Sequence, residues 1–509
     1  MSDGNGLPKG WVTTTVGEIA SSIQYGHTAS ATDTRTTPRF LRITDIQDGQ
    51  VDWDEVPSCD ISKEEIPKYE LRTHDIVFAR TGATTGKSFL IRECPQAVFA
   101  SYLIRLRMNE GIYAPLVQYF FNTNDYWRQI EGGKRGIGQP NVNASVLADI
   151  SLSLPPLPEQ HRIVEKIEEL FSDLDAGVSA LQRAKANLKR YRASVLKSAV
   201  EGRLTEEWRK EHPQTEDGQM LLDRILRERR EKWEKDQLHK FKEKSKEPPK
   251  DWQSKYEEPS APDTSELPEL PEGWVWATVE QLLVYLRNGY FQSPTKATEG
   301  IPLLRINAVR PMSVDLNEVR FLDKVEGDVD DFFVRDGDLL FTRYNGSVDL
   351  LGVAGMVRGC TRDTLHPDKL IRVVLALGSP LPEFVEISAN VGASRKHISG
   401  RARTTAGQTG ISGSDIREMP IPLPPLAEQE QIVALVEERL SQIDSAEKTI
   451  DSELIRSKRL RQSILKRAFE GKLVPQDPKD EPASILLDRI KESRESEQPK
   501  KKAKKVKAK

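Results

Sequence analysis

Cysteine is scarce in this 509-residue chain: Cys59, Cys94 and Cys360 lie far apart and form no Cys-x-x-Cys pair. That excludes a disulfide framework and a thiolate-built zinc site, and buried free thiols are expected. Histidine is also sparse, with seven residues and no pair at metal-ligand spacing, so no imidazole metal centre is expected. No apolar run approaches the roughly 18 residues of a spanning helix. The opening Met1-Ser2-Asp3-Gly4-Asn5 lacks the basic start and apolar stretch of a signal peptide, so a cytoplasmic protein is expected. Nor is there an excess of positive charge. Lys and Arg number 75 against 78 Asp and Glu, a net charge of −3, so any basic nucleic-acid face must be local.

Catalytic signatures are missing too. Adenine amino-methyltransferases need Asp or Asn before Pro-Pro to accept from the amino group, whereas both candidate sites here read Leu-Pro-Pro-Leu, with Leu154 and Leu423 in the critical place. Gly136-Ile137-Gly138-Gln139-Pro140-Asn141 lacks the third glycine of a dinucleotide loop. The run Thr81 to Ser88 has a Gly-Lys-Ser ending, but a phosphate loop would need glycine at Thr81. Among 78 acidic residues nothing singles out a general acid and base. No catalytic centre, metal or cofactor is expected in this chain.

What is present is a duplication. Leu7-Pro8-Lys9-Gly10-Trp11-Val12 returns 263 residues later as Leu270-Pro271-Glu272-Gly273-Trp274-Val275, and Asp75-Ile76-Val77-Phe78 returns in the same register as Asp338-Leu339-Leu340-Phe341. Leu154-Pro155-Pro156-Leu157-Pro158-Glu159-Gln160 returns after 269 residues as Leu423-Pro424-Pro425-Leu426-Ala427-Glu428-Gln429, and Leu221 to Ile225 returns after 265 as Leu486 to Ile490. Short β-like runs such as Ile76-Val77-Phe78-Ala79 and Leu103-Ile104-Arg105-Leu106-Arg107 predict an α/β (α+β) core in each globular segment.

Each globular segment leads into a long helix. Ile167, Leu174, Leu181, Leu188 and Val195 recur every seven residues, with Ile163, Leu170, Ala184 and Tyr191 in the second seam position. Val436, Ile443, Ile450 and Ile464 repeat the pattern, broken at Ser457. Some 43 residues at about 1.5 Å each give a rod of roughly 65 Å. Two such helices cover each other most simply as an antiparallel coiled coil, which would make the duplicated chain pseudo-twofold symmetric. The expected divisions are 1–153, globular; 154–204, long helix; 205–269, a charged helical segment and Pro-rich linker; 270–422, globular; 423–475, long helix; and 476–509, a short helix and a disordered Lys-rich tail.

Loops that combine Arg or Lys with Gly, Thr, Asn and Gln recur at matching places. In the first copy they supply Arg80, Thr81, Thr84, Lys87, Lys134, Arg135, Gln139, Asn141 and Asn143; in the second, Arg343, Tyr344, Asn345, Arg395, Lys396, His397, Arg401, Arg403 and Gln408. Arg42 and Arg305, matched after the strand-like Phe40-Leu41 and Leu303-Leu304, complete the DNA-contact candidates. Arginine can grip guanine edges, Asn and Gln can grip adenine, and Thr, Lys and backbone amides can position phosphates.

The Leu-Pro-x-Gly-Trp opening and the Leu-Pro-Pro-Leu-x-Glu-Gln entry into a long helix, each occurring twice in this order, resemble the specificity subunit of Type I restriction-modification enzymes over nearly the whole chain. The resemblance implies two target recognition domains, each reading half of an interrupted DNA sequence, with the coiled coil as spacer. It implies that catalysis lies elsewhere: in two methyltransferase subunits and in restriction (motor-nuclease) subunits that use S-adenosylmethionine, ATP and Mg. Arg80 with the Gly82 to Lys87 loop, and Gln139 with its counterpart Gln408, match the family's local pattern. Glu159, Gln160, Glu428 and Gln429 are candidate partner anchors, or alternatively caps at the helix starts. A stand-alone DNA methyltransferase or nuclease, and a coiled-coil protein-binding adaptor, remain the competing classes.

Overall fold

The computed structural model describes residues 6–32, 34–47, 49–82, 84–133, 142–213, 215–292, 297–376, 381–405 and 408–497, without the side chains of residues 133, 404, 405, 408 and 497. The Lys-rich stretch 500–509 and the candidates Lys134, Arg135, Gln139 and Asn141 lie outside the described residues. The chain divides into two compact units, residues 1–183 with 450–509, and residues 184–449.

Each unit is built around a four-stranded antiparallel sheet of the same order. In the first unit Ala20–Tyr25, Leu103–Met108, Ile76–Ala79 and Ser88–Leu90 lie side by side. In the second the order is Leu283–Asn288, Leu370–Leu375, Leu339–Thr342 and Ala354–Met356. Ile76–Ala79 and Leu339–Thr342 are buried throughout, which is why they read as unbroken apolar runs rather than as alternating strands. The aspartate that opens each of these runs is buried as well. Asp75 accepts from the Arg72 amide at 2.8 Å and is bridged by Arg107 at 2.7 Å; Asp338 accepts from Arg335 and pairs with Arg372, both at 2.6 Å.

Each globular segment is closed by pairing its first strand with its last: Val12–Thr15 with Ser151–Leu154, and Val275–Thr278 with Pro420–Leu423. The chain then passes through Pro-Pro into a 44-residue helix, Leu157–Val200 or Leu426–Phe469. In the first unit Ile163, Val164 and Ile167 pack on Ile464, Leu465 and Ala468; in the second Val195, Leu196 and Ala199 pack on Ile432 and Val436. The start of one helix thus meets the end of the other, an antiparallel pairing. Burial is concentrated at those ends, where the globular segments add their own apolar surface. Leu174, Leu181 and Leu188 are only half-buried, Ala184 is exposed and Tyr191 is 47% exposed, so the expected second seam position is not covered there.

A carboxylate locks each junction. Glu159 accepts the indole N–H of Trp11 at 3.0 Å, and Glu428 that of Trp274 at 2.9 Å. The tryptophans are those of the repeated Leu-Pro-x-Gly-Trp opening. Glu428 also accepts from the Thr205 hydroxyl at 2.7 Å and from the Arg209 guanidinium at 2.9 Å; at Glu159 the further donor is the Gln476 amide at 3.3 Å, and burial raises the carboxyl above its ordinary range. Neighbouring Gln160 accepts the Tyr113 amide at 2.9 Å and donates to Pro155 O at 3.0 Å, while Gln429 does the same with Leu381 and Pro424.

The repeated Leu-Leu-Asp-Arg-Ile segments are helices that complete these cores. Leu221, Leu222 and Ile225 of helix Gly218–Glu243 enter the core of the second unit, and Ala483, Leu487 and Ile490 of helix Ala483–Glu497 enter that of the first. Gly218 donates to Gly273 O at 2.7 Å and Ala483 to Gly10 O at 2.9 Å, the same contact in both units. The stretch read as linker is fastened to the longer of these helices. Trp252 stacks on Trp233 with ring centroids 5.9 Å apart, Tyr256 joins them, Ser260 O accepts from Thr278 and Pro268 O from the Trp276 indole.

Removing the carboxylate in Glu428→Ala leaves the Arg209 cation and the Trp274 N–H without their buried acceptor, so the second unit should lose about 3–5 kcal/mol. Chemical denaturation of the full chain, with hydrogen exchange assigning the loss to residues 184–449, checks this.

Candidate nucleic-acid interface

Arg80 ends the central strand of the first sheet. Its amide donates to Tyr102 O at 3.1 Å and its carbonyl accepts from Val142 at 3.0 Å, while its guanidinium lies over the Tyr25 ring, 4.8 Å from the centroid. The Tyr25 hydroxyl in turn accepts from the Ala144 amide at 3.0 Å, so the ring is held at both ends. Between Arg80 and Lys87 the chain makes a tight hairpin in which Ala79 donates to Lys87 O and accepts from the Gly86 amide, Lys87 donates to Thr84 O, and Gly86 at φ 88° sits under Trp127 and Ile130. Thr81 and Thr84 are half-buried and Lys87 is exposed.

Arg343 occupies the matching place in the second unit. Its amide donates to Lys369 O at 2.9 Å, its carbonyl accepts from Ile411 at 3.0 Å, and its guanidinium lies 4.8 Å from the Tyr344 ring centroid while donating to Asp368 O at 3.3 Å. Here the ring is the next residue in the chain rather than one on a strand two places away in the sheet. Tyr344–Asn345 forms a short strand paired with Gln408–Gly410, which pairs in turn with Arg403–Thr405. The register sets Gly410 opposite Tyr344 and Thr409 opposite Asn345, while the backbone of Gln408 lies opposite Thr405, its side chain outside the described residues. Asn345 accepts from the Ser347 amide, and Arg403 is exposed.

Several candidates have structural work instead. Asn143 is the N-cap of helix Ala144–Ala148, its Oδ1 accepting from Val146 at 2.9 Å. Arg42 is bound to Asp45 at 2.7 Å, and Arg305 to Glu318 at 2.6 Å. The basic run 394–401 is not a loop but most of helix Gly392–Arg401. There Arg395 donates to the backbone oxygens of Val348, Asp349 and Leu351, and Arg401 pairs with Glu418 and Asp415. His397 bonds Asp415 O at 2.9 Å, and burial holds its pKa below the usual imidazole range, so it carries no charge at neutral pH. Lys396 is exposed but lines a cleft with Pro262 and Leu267 of the Pro-rich stretch. Glu159, Gln160, Glu428 and Gln429 are at most 1% exposed, so the expectation that they anchor partners gives way to their role in the junctions. The sequence reading missed Tyr25, whose signal was its place one residue before the tight Gly26; a Cβ there would lie 2.3 Å from Ala100 O, as one at Gly289 would lie 2.1 Å from Pro367 O.

No group of three or more His, Cys, Asp or Glu able to hold a metal occurs among the described residues, and no helix there is long and apolar enough to cross a membrane.

A family model described as the Type I restriction modification DNA specificity domain matches residues 8–181. Over its whole length the chain is similar to the Type I restriction enzyme EcoKI specificity subunit of Escherichia coli K12, 31% identical with 97% of each chain covered. It is also similar to the StySPI specificity subunit of Salmonella potsdam, 24% identical with 96% of each covered. Among solved structures, a chain from work on complex assembly and conformational transition of the type I R-M system shares the fold at TM-score 0.61, with 18% identity, 92% of this chain and 99% of that one covered. The HsdS subunit from Thermoanaerobacter tengcongensis does so at TM-score 0.50, with 17% identity, 92% of this chain and 98% of that one covered. The chain belongs to the specificity subunits of Type I restriction-modification systems. That family is non-catalytic: it supplies DNA specificity to the enzyme complex and itself uses no cofactor.

Asn143→Ala should lower the stability of the first unit by about 1 kcal/mol through loss of its helix cap. Thermal unfolding of the DNA-free chain reads this, and an unchanged midpoint would return Asn143 to the list of DNA contacts.

Proposed function

We propose that each globular segment reads one half of a bipartite DNA target, with Arg80 and Arg343 as the base-reading side chains. The observation carrying this is that two guanidiniums at matching ends of matching strands are each laid on an aromatic ring. A ring-backed guanidinium loses little freedom when it engages a guanine edge, which suits a specific contact better than a phosphate contact. Lys87 and Arg403, both exposed, would position phosphates nearby. Thr81, Thr84, Tyr344 and Asn345 flank the two arginines, and Lys134, Arg135, Gln139, Asn141 and Gln408 belong to the same reading from their sequence alone. The long helices would set the unread spacer between the half-sites, as symmetric dimers set half-site spacing. The partners in this proposal are two methyltransferase subunits and the restriction (motor-nuclease) subunits, which would bring S-adenosylmethionine, ATP and Mg; the chain would direct their adenine methylation and ATP-dependent restriction.

Co-expression with the methyltransferase partner in a host free of other adenine methylation, followed by genome-wide mapping of modified bases, tests the two-headed reading. A split motif with a fixed gap is expected; a continuous motif would leave only one segment reading DNA. Arg80→Ala should relax discrimination in one half-site only, by about 1–3 kcal/mol for a base contact. Equal weakening on every sequence would mark Arg80 as a phosphate contact. Inserting four residues into each long helix should widen the gap by about one to two base pairs and leave both half-sites unchanged, since four residues add roughly 6 Å of helix against about 3.4 Å per base pair. Unaltered spacing would end the ruler idea.

A further inference from the structure

Phe291 is 86% exposed, far more than any other large apolar side chain among the described residues. Its neighbours are held firmly. Tyr290 is 8% exposed, donates its amide to His366 O at 2.7 Å and accepts from Asp368 at 3.1 Å. The Tyr290 hydroxyl donates to Gln292 Oε1 and accepts from the Glu326 amide, both at 2.8 Å, and the Gln292 amide donates to Lys324 O at 3.1 Å. An apolar ring is thus displayed in water on a firmly held mount, at a cost in solvation that nothing among the described residues offsets.

The mount joins it to Arg343. Asp368, whose amide donates to Tyr290 O, is the residue whose carbonyl accepts from the Arg343 guanidinium, and the next residue, Lys369, is exposed and takes the Arg343 amide on its carbonyl. One short turn, Asp368 and Lys369, therefore binds both the residue before Phe291 and the ring-backed Arg343, and itself carries an exposed ammonium. The apolar group that duplex DNA offers in the major groove beside its hydrogen-bonding edges is the thymine C5 methyl.

We propose that Phe291 is a specificity-determining residue that reads a thymine methyl within the half-site addressed by the second unit. This deepens the DNA-reading assignment above and rests on it. The first unit carries Thr28 at the matching place, after a Gly26-His27 backbone held by the same bonds to Leu103 and Phe99, so the aromatic ring has no counterpart there.

The test uses the complex of the full chain with its methyltransferase subunits and duplexes bearing the mapped target, in which each thymine is replaced in turn by deoxyuridine, which lacks only the methyl. One position in the second half-site should weaken binding by roughly fourfold, the worth of one buried methyl-sized group. Phe291→Ala should bind thymine and uracil there alike, and the response to each thymine of the first half-site should be the same in both proteins. Retained thymine preference in Phe291→Ala, indifference of the unaltered complex at every position, or a second half-site without thymine would overturn the proposal. So would failure of Phe291→Ala to assemble with the methyltransferase subunits, which would make the ring a protein contact. Arg343→Ala separates the two levels: unchanged binding to all sequences would remove the DNA-reading assignment itself, whereas a half-site-specific loss keeps it whatever Phe291 does.

Discussion

The contact on which each unit depends is a single buried carboxylate at the start of a long helix. A carboxylate removed from water is tolerated only when its oxygens are supplied with donors. Here Trp11 supplies Glu159, and Trp274, Thr205 and Arg209 supply Glu428. Those donors come from the opening of the globular segment and, in the second unit, from just beyond the far end of the first long helix. The carboxylate cannot be satisfied unless the segment has closed on itself and the other helix has arrived. Closure, helix entry and helix pairing are therefore one event within each unit.

The two copies solve this problem with different donors. Arg209 neutralises Glu428, whereas Gln476 in the corresponding place beside Glu159 brings only an amide, and Arg162 is instead bound to Asp480 at 2.7 Å. The differences widen toward the proposed reading face. Tyr25 backs Arg80 from the edge strand of the sheet, two places away, while Tyr344 backs Arg343 from the adjacent position and adds a strand to a small sheet absent from the described part of the first copy. A guanidinium on a ring is kept, and the way it is supported is free to change.

Much of the frame was legible because it is repetitive. Duplicated motifs located both globular segments and both long helices, and the prolines ahead of each helix marked its start. What escaped were contacts between residues far apart in the chain. Glu159 and Trp11 are 148 residues apart, and each looked like something else by itself: a helix-start carboxylate and a repeat marker. The basic run 394–401 read as a DNA loop because charge was counted without geometry; the helix it forms turns Arg395 and Arg401 onto partners of their own unit. The Pro-rich stretch read as a linker because prolines were weighed and Trp252 and Tyr256 were not, although aromatic residues in a polar segment signal a surface to be covered.

Arginine by itself is a poor guide to recognition in this chain. Arg42, Arg107, Arg305, Arg372 and Arg401 all bridge carboxylates, and a guanidinium already holding a carboxylate must give up that bond before it can hold a base. Arg80 and Arg343 differ in their place: each stands at the end of a matching strand with an aromatic face beneath the cation. A ring alone does not make the distinction, since Arg287 and Arg372 each combine a ring with a carboxylate partner; the matching strand-end position does. It separates frame from proposed reading face in a protein whose two halves share nearly all of the former and little of the latter.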